Sequence, residues 1–114
     1  MIPALKALAA LLGLSGVAVA AIASHAVKDP AAARSLLIAA GLALVHAVAA
    51  QVALATAPGR WGEIAGGAFV FGALLFAGAV YVRGFTGTSL GPVAPIGGVL
   101  MMLGWAALFF AALR

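Results

Sequence analysis

Four long runs of apolar residues, separated by three short breaks, make up almost the whole sequence. The breaks fall at Lys28-Asp29-Pro30, at Pro58-Gly59-Arg60-Trp61-Gly62-Glu63 and at Arg83-Gly84-Phe85-Thr86-Gly87-Thr88. Proline, glycine and charge together mark turns. The runs between them predict helices at about 4–27, 33–57, 64–82 and 91–113, each near the length of ~20 residues that crosses a hydrocarbon core. Lipid offers a backbone no hydrogen-bond partner, so such spans are helical. Short connections favour antiparallel neighbours. The expected fold is all-α: an integral-membrane four-helix up-down bundle forming a single transmembrane domain, 1–114.

Helical spacing sorts the faces of these spans. In the fourth, Ala94, Gly97, Gly98, Met101, Gly104, Trp105, Leu108 and Ala112 project within one stripe, opposite Val99, Leu103 and Phe110. Small residues let helices approach closely where lipid gives no hydrophobic drive for association. The glycine stripe, entered through Pro92 and Pro95, is therefore the expected packed face. The first span has a similar stripe in Ala9, Gly13, Gly16, Ala20 and Ala23. In the second, His46 lies among Ser35, Ala39, Ala43, Ala49, Ala50 and Ala53, a face suited to close packing.

Composition agrees with a membrane chain. Hydrophobic residues are 67% and charged residues 7% of the 114 positions, a balance that soluble domains do not approach. The basic residues stand singly at segment ends, where lipid headgroups lie, and not in the clusters a nucleic-acid surface requires. No nucleic-acid partner is expected. The positive-inside count ties, with Lys6, Arg60 and Arg114 on one side and Lys28, Arg34 and Arg83 on the other. It assigns no orientation. The absence of cysteine excludes disulfides and thiolate chemistry. The first run ends in Ala23-Ser24-His25-Ala26, small residues like those of a cleavage site, but its apolar region exceeds a signal core. A retained membrane helix is expected.

His46 is the main candidate for chemistry, because an ionisable group at mid-membrane is costly and faces protein or water. Counting rise inward from the turns sets Ser15, His46, Leu74 and Trp105 at similar depth. The Ser15 hydroxyl or the Trp105 indole is then placed to satisfy the imidazole. A second level, nearer the first and third breaks, holds His25, Tyr81, Pro92 and Pro95, with Arg34 and Arg83 close by. The two histidines differ in depth by roughly 15–20 Å at helical rise, too far to share one iron or zinc. No metal or cofactor is expected. Gln51 projects away from His46 toward another helix or subunit. Tyr81 and Trp61 suit interfacial anchoring. The Gly97-Gly98 pair after the two prolines permits close approach or a helix break.

Several fragments, in order, resemble a known family. They are Ser24-His25-Ala26, His46-Ala47, Phe76-Ala77-Gly78-Ala79-Val80-Tyr81, Gly91-Pro92-Val93-Ala94-Pro95-Ile96-Gly97-Gly98 and Gly104-Trp105. Together they are similar to the domain of unknown function 423 family of small bacterial inner-membrane proteins, which has eukaryotic relatives. The resemblance covers nearly the whole chain. It implies a four-helix membrane protein and assigns no reaction or ligand. In that family serines tend to stand where this chain has Ala77 and Ala79.

The expected function is that of a non-enzymatic multi-pass protein of the inner membrane, structural or lipid-binding, or an accessory subunit of a membrane complex. Its expected partners are membrane lipids, and a homo-oligomer or larger complex. A polar site at His25, Arg34, His46, Tyr81 and Arg83, with the arginines able to meet an anionic headgroup, is the candidate binding region. The competing expectation is a small oligomeric transporter or channel using His46 in its interior. An enzyme lacks a recognisable nucleophile or carboxylate pair.

Overall fold

Local chemistry sets the ends of each helix. In the computed structural model, which describes residues 1–114, α1 spans Ile2–His25, α2 Pro30–Thr56, α3 Arg60–Thr86 and α4 Val93–Ala112. Asp29 caps α2, its carboxylate accepting from the Ala31 amide at 3.3 Å, and Pro30 occupies the first position, where no amide proton is needed. Pro95 sits in the first turn of α4 for the same reason, and the first helical bond there runs from the Ile96 amide to Pro92 O at 3.1 Å. The segment after the prolines is thus a regular helix without a break.

The third helix departs most from the expected 64–82. It begins at Arg60 and ends at Thr86, about one turn longer at each end. The break before it needs only Gly59, whose φ of +57° turns the chain, and Glu63 then suits the positive end of the helix. At the other end Arg83 suits the negative end, and Gly87 stops the helix in the left-handed conformation at φ +79°. The charges that suggested loops are helix-end residues.

Each helix is long and apolar enough to cross a membrane. α2 and α3, at 27 residues, extend about 40 Å. The hydrocarbon core is about 30 Å thick, so tilt or projection of the ends into the headgroups takes up the excess. The chain is a multi-pass membrane protein. Its four helices form an elongated bundle of 48 × 24 × 21 Å in which α1, α2 and α3 contact one another, while α4 rests on α3.

Small residues fill the inside and large ones face out. α2 buries Ala39, Ala40, Ala43, Ala47, Ala50 and Ala53, and among bulky side chains only Phe69, Leu36 and Val70 are wholly enclosed. Leu14, Val17, Val48, Met102, Leu103 and Phe109 are exposed to the surroundings. That inversion is what a lipid-facing exterior requires. The α3–α4 seam is the tightest. A methyl group at Gly97 would lie 2.5 Å from Gly72 O and collide with the Phe76 nitrogen, and one at Gly72 would lie 2.8 Å from Gly97 O. The buried line of α4 is Gly97, Met101, Gly104, Ala107 and Ala111. Gly98 has open space beside it, and Trp105 is 47% exposed, so the seam runs along one edge of the expected stripe.

Candidate functional site

Two features stand out, a polar centre at mid-bundle and a cleft at one end. The centre is His46, 5% exposed on the alanine face of α2. Its Nδ1 lies 2.7 Å from Leu42 O, one turn earlier, and its Nε2 lies 3.0 Å from the Trp105 indole nitrogen. A carbonyl only accepts and an indole only donates. The partners therefore select the Nδ1–H tautomer, with the Nε2 lone pair receiving the Trp105 N–H. Phe69 closes the group, its ring 5.5 Å from the imidazole and 4.8 Å from the indole by centroids. Gly104 makes room for it, since a Cβ there would stand 2.6 Å from the Phe69 ring. Three aromatic rings thus join α2 and α4 across α3.

Ser15, the other partner suggested by depth, turns elsewhere. Its hydroxyl donates to Leu12 O at 2.7 Å and lies 3.2 Å from the Tyr81 hydroxyl, which by elimination donates to it. Side chains on a helix lean toward its N-terminus, so Tyr81 reaches deeper into the bundle than its Cα. This bond ties α1 to α3. Ala77 and Ala79 on α3 are buried, and the hydroxyl that meets Tyr81 comes from α1 instead. Gln51 donates to Lys6 O at 2.9 Å, so its partner is α1 of the same chain.

The cleft has a volume of about 590 Å³ and lies between the start of α2, the end of α3 and the segment leading into α4. Asp29, Ser35, Arg83 and Ser89 supply its polar lining, and Ile38, Phe76, Val80 and Leu90 its bulky apolar lining. Ala31, Ala32, Ala79 and Ala94 leave it unfilled. Ile38 lies eight residues beyond Pro30, so at helical rise the cleft descends about 12 Å from the turns toward the hydrocarbon. A second cleft, of about 580 Å³, lies at the opposite end and is lined by Arg60, Trp61, Ile64 and Arg114 with Pro58 and Gly59.

Of the residues expected to share a polar site near the first and third breaks, only Arg83 lines the larger cleft. His25 and Arg34 are exposed outside its lining, and Tyr81 is half-buried against Ser15. Pro92 and Pro95 flank the cleft without lining it. Asp29, Ser35 and Ser89 were not anticipated; the turn-like Lys28-Asp29-Pro30 drew attention to itself only as a break. Phe69 was missed for a simpler reason. Placing the start of the third helix at 64 matches Leu74 to the depth of His46, whereas the true start at Arg60 moves the match to Phe69, about one turn back.

The family described as "Protein of unknown function (DUF423)" matches residues 19–98, well over half of the sequence. The chain belongs to that family. No curated protein and no solved structure matches it. The matched stretch holds His46, Tyr81, the Gly91–Gly98 fragment and every residue lining the larger cleft. Ser15 and the Gly104-Trp105 pair lie outside it. Both of these interhelical hydrogen bonds therefore pair one residue inside the match with one outside.

Proposed function

We propose that this chain is a non-enzymatic inner-membrane protein with a structural and lipid-binding role, packing with itself or within a larger membrane complex. The observation that carries the reading is the closed state of the interior. Both nitrogens of His46 are engaged, and no buried side-chain nitrogen or oxygen lacks a partner. Neither of the two principal clefts is lined by His46. A transport path through the bundle would need polar groups free to exchange partners with a solute, and this core offers none. Intramembrane histidines are functional candidates in general; the hydrogen bonds of His46 support helix packing.

Reconstitution tests this directly. Full-length protein in liposomes is expected to leave proton and cation flux at the level of empty vesicles. The same preparation, released gently from membranes into native mass spectrometry, is expected to carry bound phospholipid. Flux above the empty-vesicle level that disappears in His46→Leu would overturn the structural reading.

A further inference from the structure

The larger cleft carries one formal charge of each sign. Asp29, on its rim, is engaged by a single amide, and Arg83 stands across from it on α3; no salt bridge joins them. Two opposite charges that line one cleft at the edge of a low-dielectric medium without pairing to each other are both left open to a ligand bearing both signs. The apolar wall below them, Ile38 and Phe76, continues toward the hydrocarbon. Such a ligand is charged at its head and apolar in its body.

We infer that this cleft binds a zwitterionic phospholipid with a primary ammonium headgroup, of the phosphatidylethanolamine class. Arg83 meets the phosphate, to which a guanidinium is matched in geometry and charge. Asp29 meets the ammonium. Three N–H donors suit the acceptors available there, the free carboxylate oxygen and the Ser35 hydroxyl. A quaternary ammonium has no such donors and is recognised by aromatic cages. The only aromatic residue lining this cleft is Phe76, ten residues from the end of α3 and hence about 15 Å below it. A purely anionic headgroup would meet Arg83 but be repelled by Asp29. The inference rests on the lipid-binding reading above and adds to it the class of headgroup.

The test is a competition. Delipidated full-length protein is given equal amounts of phosphatidylethanolamine, phosphatidylcholine and phosphatidylglycerol with identical acyl chains, and one-to-one adducts are counted by native mass spectrometry. Ethanolamine lipid is expected to dominate by about tenfold, the scale of one charge-assisted hydrogen bond. Asp29→Asn retains a good helix cap, and should erase that preference while leaving total lipid bound. Arg83→Gln should lower all three adducts. Ala94→Leu, which fills the cleft without touching a charge, should do the same; circular dichroism checks that each variant is folded. Preferential binding of the glycerol or choline lipid, or a preference untouched by Asp29→Asn, would overturn the headgroup assignment and leave the lipid-binding reading standing. Adducts unaffected by Arg83→Gln and Ala94→Leu would overturn the cleft as the site. No adducts of any kind would overturn both readings.

Discussion

His46 has one ring nitrogen that donates and one that accepts, and each meets a group fitted to the opposite part. Leu42 O takes the Nδ1 proton, and the Trp105 N–H fills the Nε2 lone pair. Interhelical hydrogen bonds in membranes contribute about 0.6 kcal/mol on average and up to about 1.7. Because His46 is buried and flanked by Phe69, this one belongs near the upper end. His46→Leu and Trp105→Phe are each expected to cost roughly 1–2 kcal/mol, since each orphans the other's polar atom. The double variant should cost less than the sum, by a coupling of about 1 kcal/mol. Thermal unfolding of the four proteins in one detergent measures that cycle, and strict additivity would refute the bond. Tyr81→Phe is a milder case. Ser15 keeps its bond to Leu12 O, so the loss should stay near the average of about 0.6 kcal/mol.

Between elements the decisive contacts are backbone to backbone. α4 touches the rest of the bundle mainly through α3, and at Gly97 a methyl group would run into the backbone of both Phe76 and Gly72. A methyl group there has no flexible side chain to push aside, so Gly97→Ala is expected to destabilise by about 1–3 kcal/mol, the usual range for overpacking. Gly98→Ala meets nothing within 4 Å and should be neutral or slightly stabilising, because alanine is the better helix former. Equal unfolding temperatures for the two variants would contradict the seam. These neighbours also show what the residues disclose unaided. Period and size predicted that α4 packs through small residues, but a stripe about 100° wide admits both Gly97 and Gly98, and only the angle of α4 on α3 chooses between them. Helix boundaries suffered similarly. Arg60, Glu63 and Arg83 are charges of a kind that mark either a loop or a helix end, and the dipole preference that decides the matter appears only once Gly59 and Gly87 are seen to do the turning. From that single one-turn error came the substitution of Leu74 for Phe69. The cleft was legible only in part: Arg83 was anticipated, whereas Asp29 and Ser35 join it because alanines on three helices leave a gap that no spacing rule describes.

At the scale of the whole molecule, the inversion of size, alanine inside and leucine, valine and phenylalanine outside, is the property on which the membrane reading depends. It makes a topological prediction that this chain is well suited to test, since it contains no cysteine. Antiparallel helices put Lys28 and Thr88, in the first and third connections, on one side of the bilayer, with Pro58 on the other. Single cysteines at 28 and 88 in oriented vesicles should therefore react with a membrane-impermeant maleimide from one side, and a cysteine at 58 only from the opposite side. Leu103 is exposed in the isolated chain, at 56%, and sits near the middle of α4. Accessibility alone would make Leu103→Cys as reactive as the connections. Burial in hydrocarbon should instead leave it unlabelled until detergent or denaturant admits the reagent, because thiolate formation and a charged reagent both require water. Labelling of residue 103 at the rate seen for residue 28, in intact vesicles, would mean that water and not lipid bathes the outer face. The apolar exterior would then have to be covered by protein.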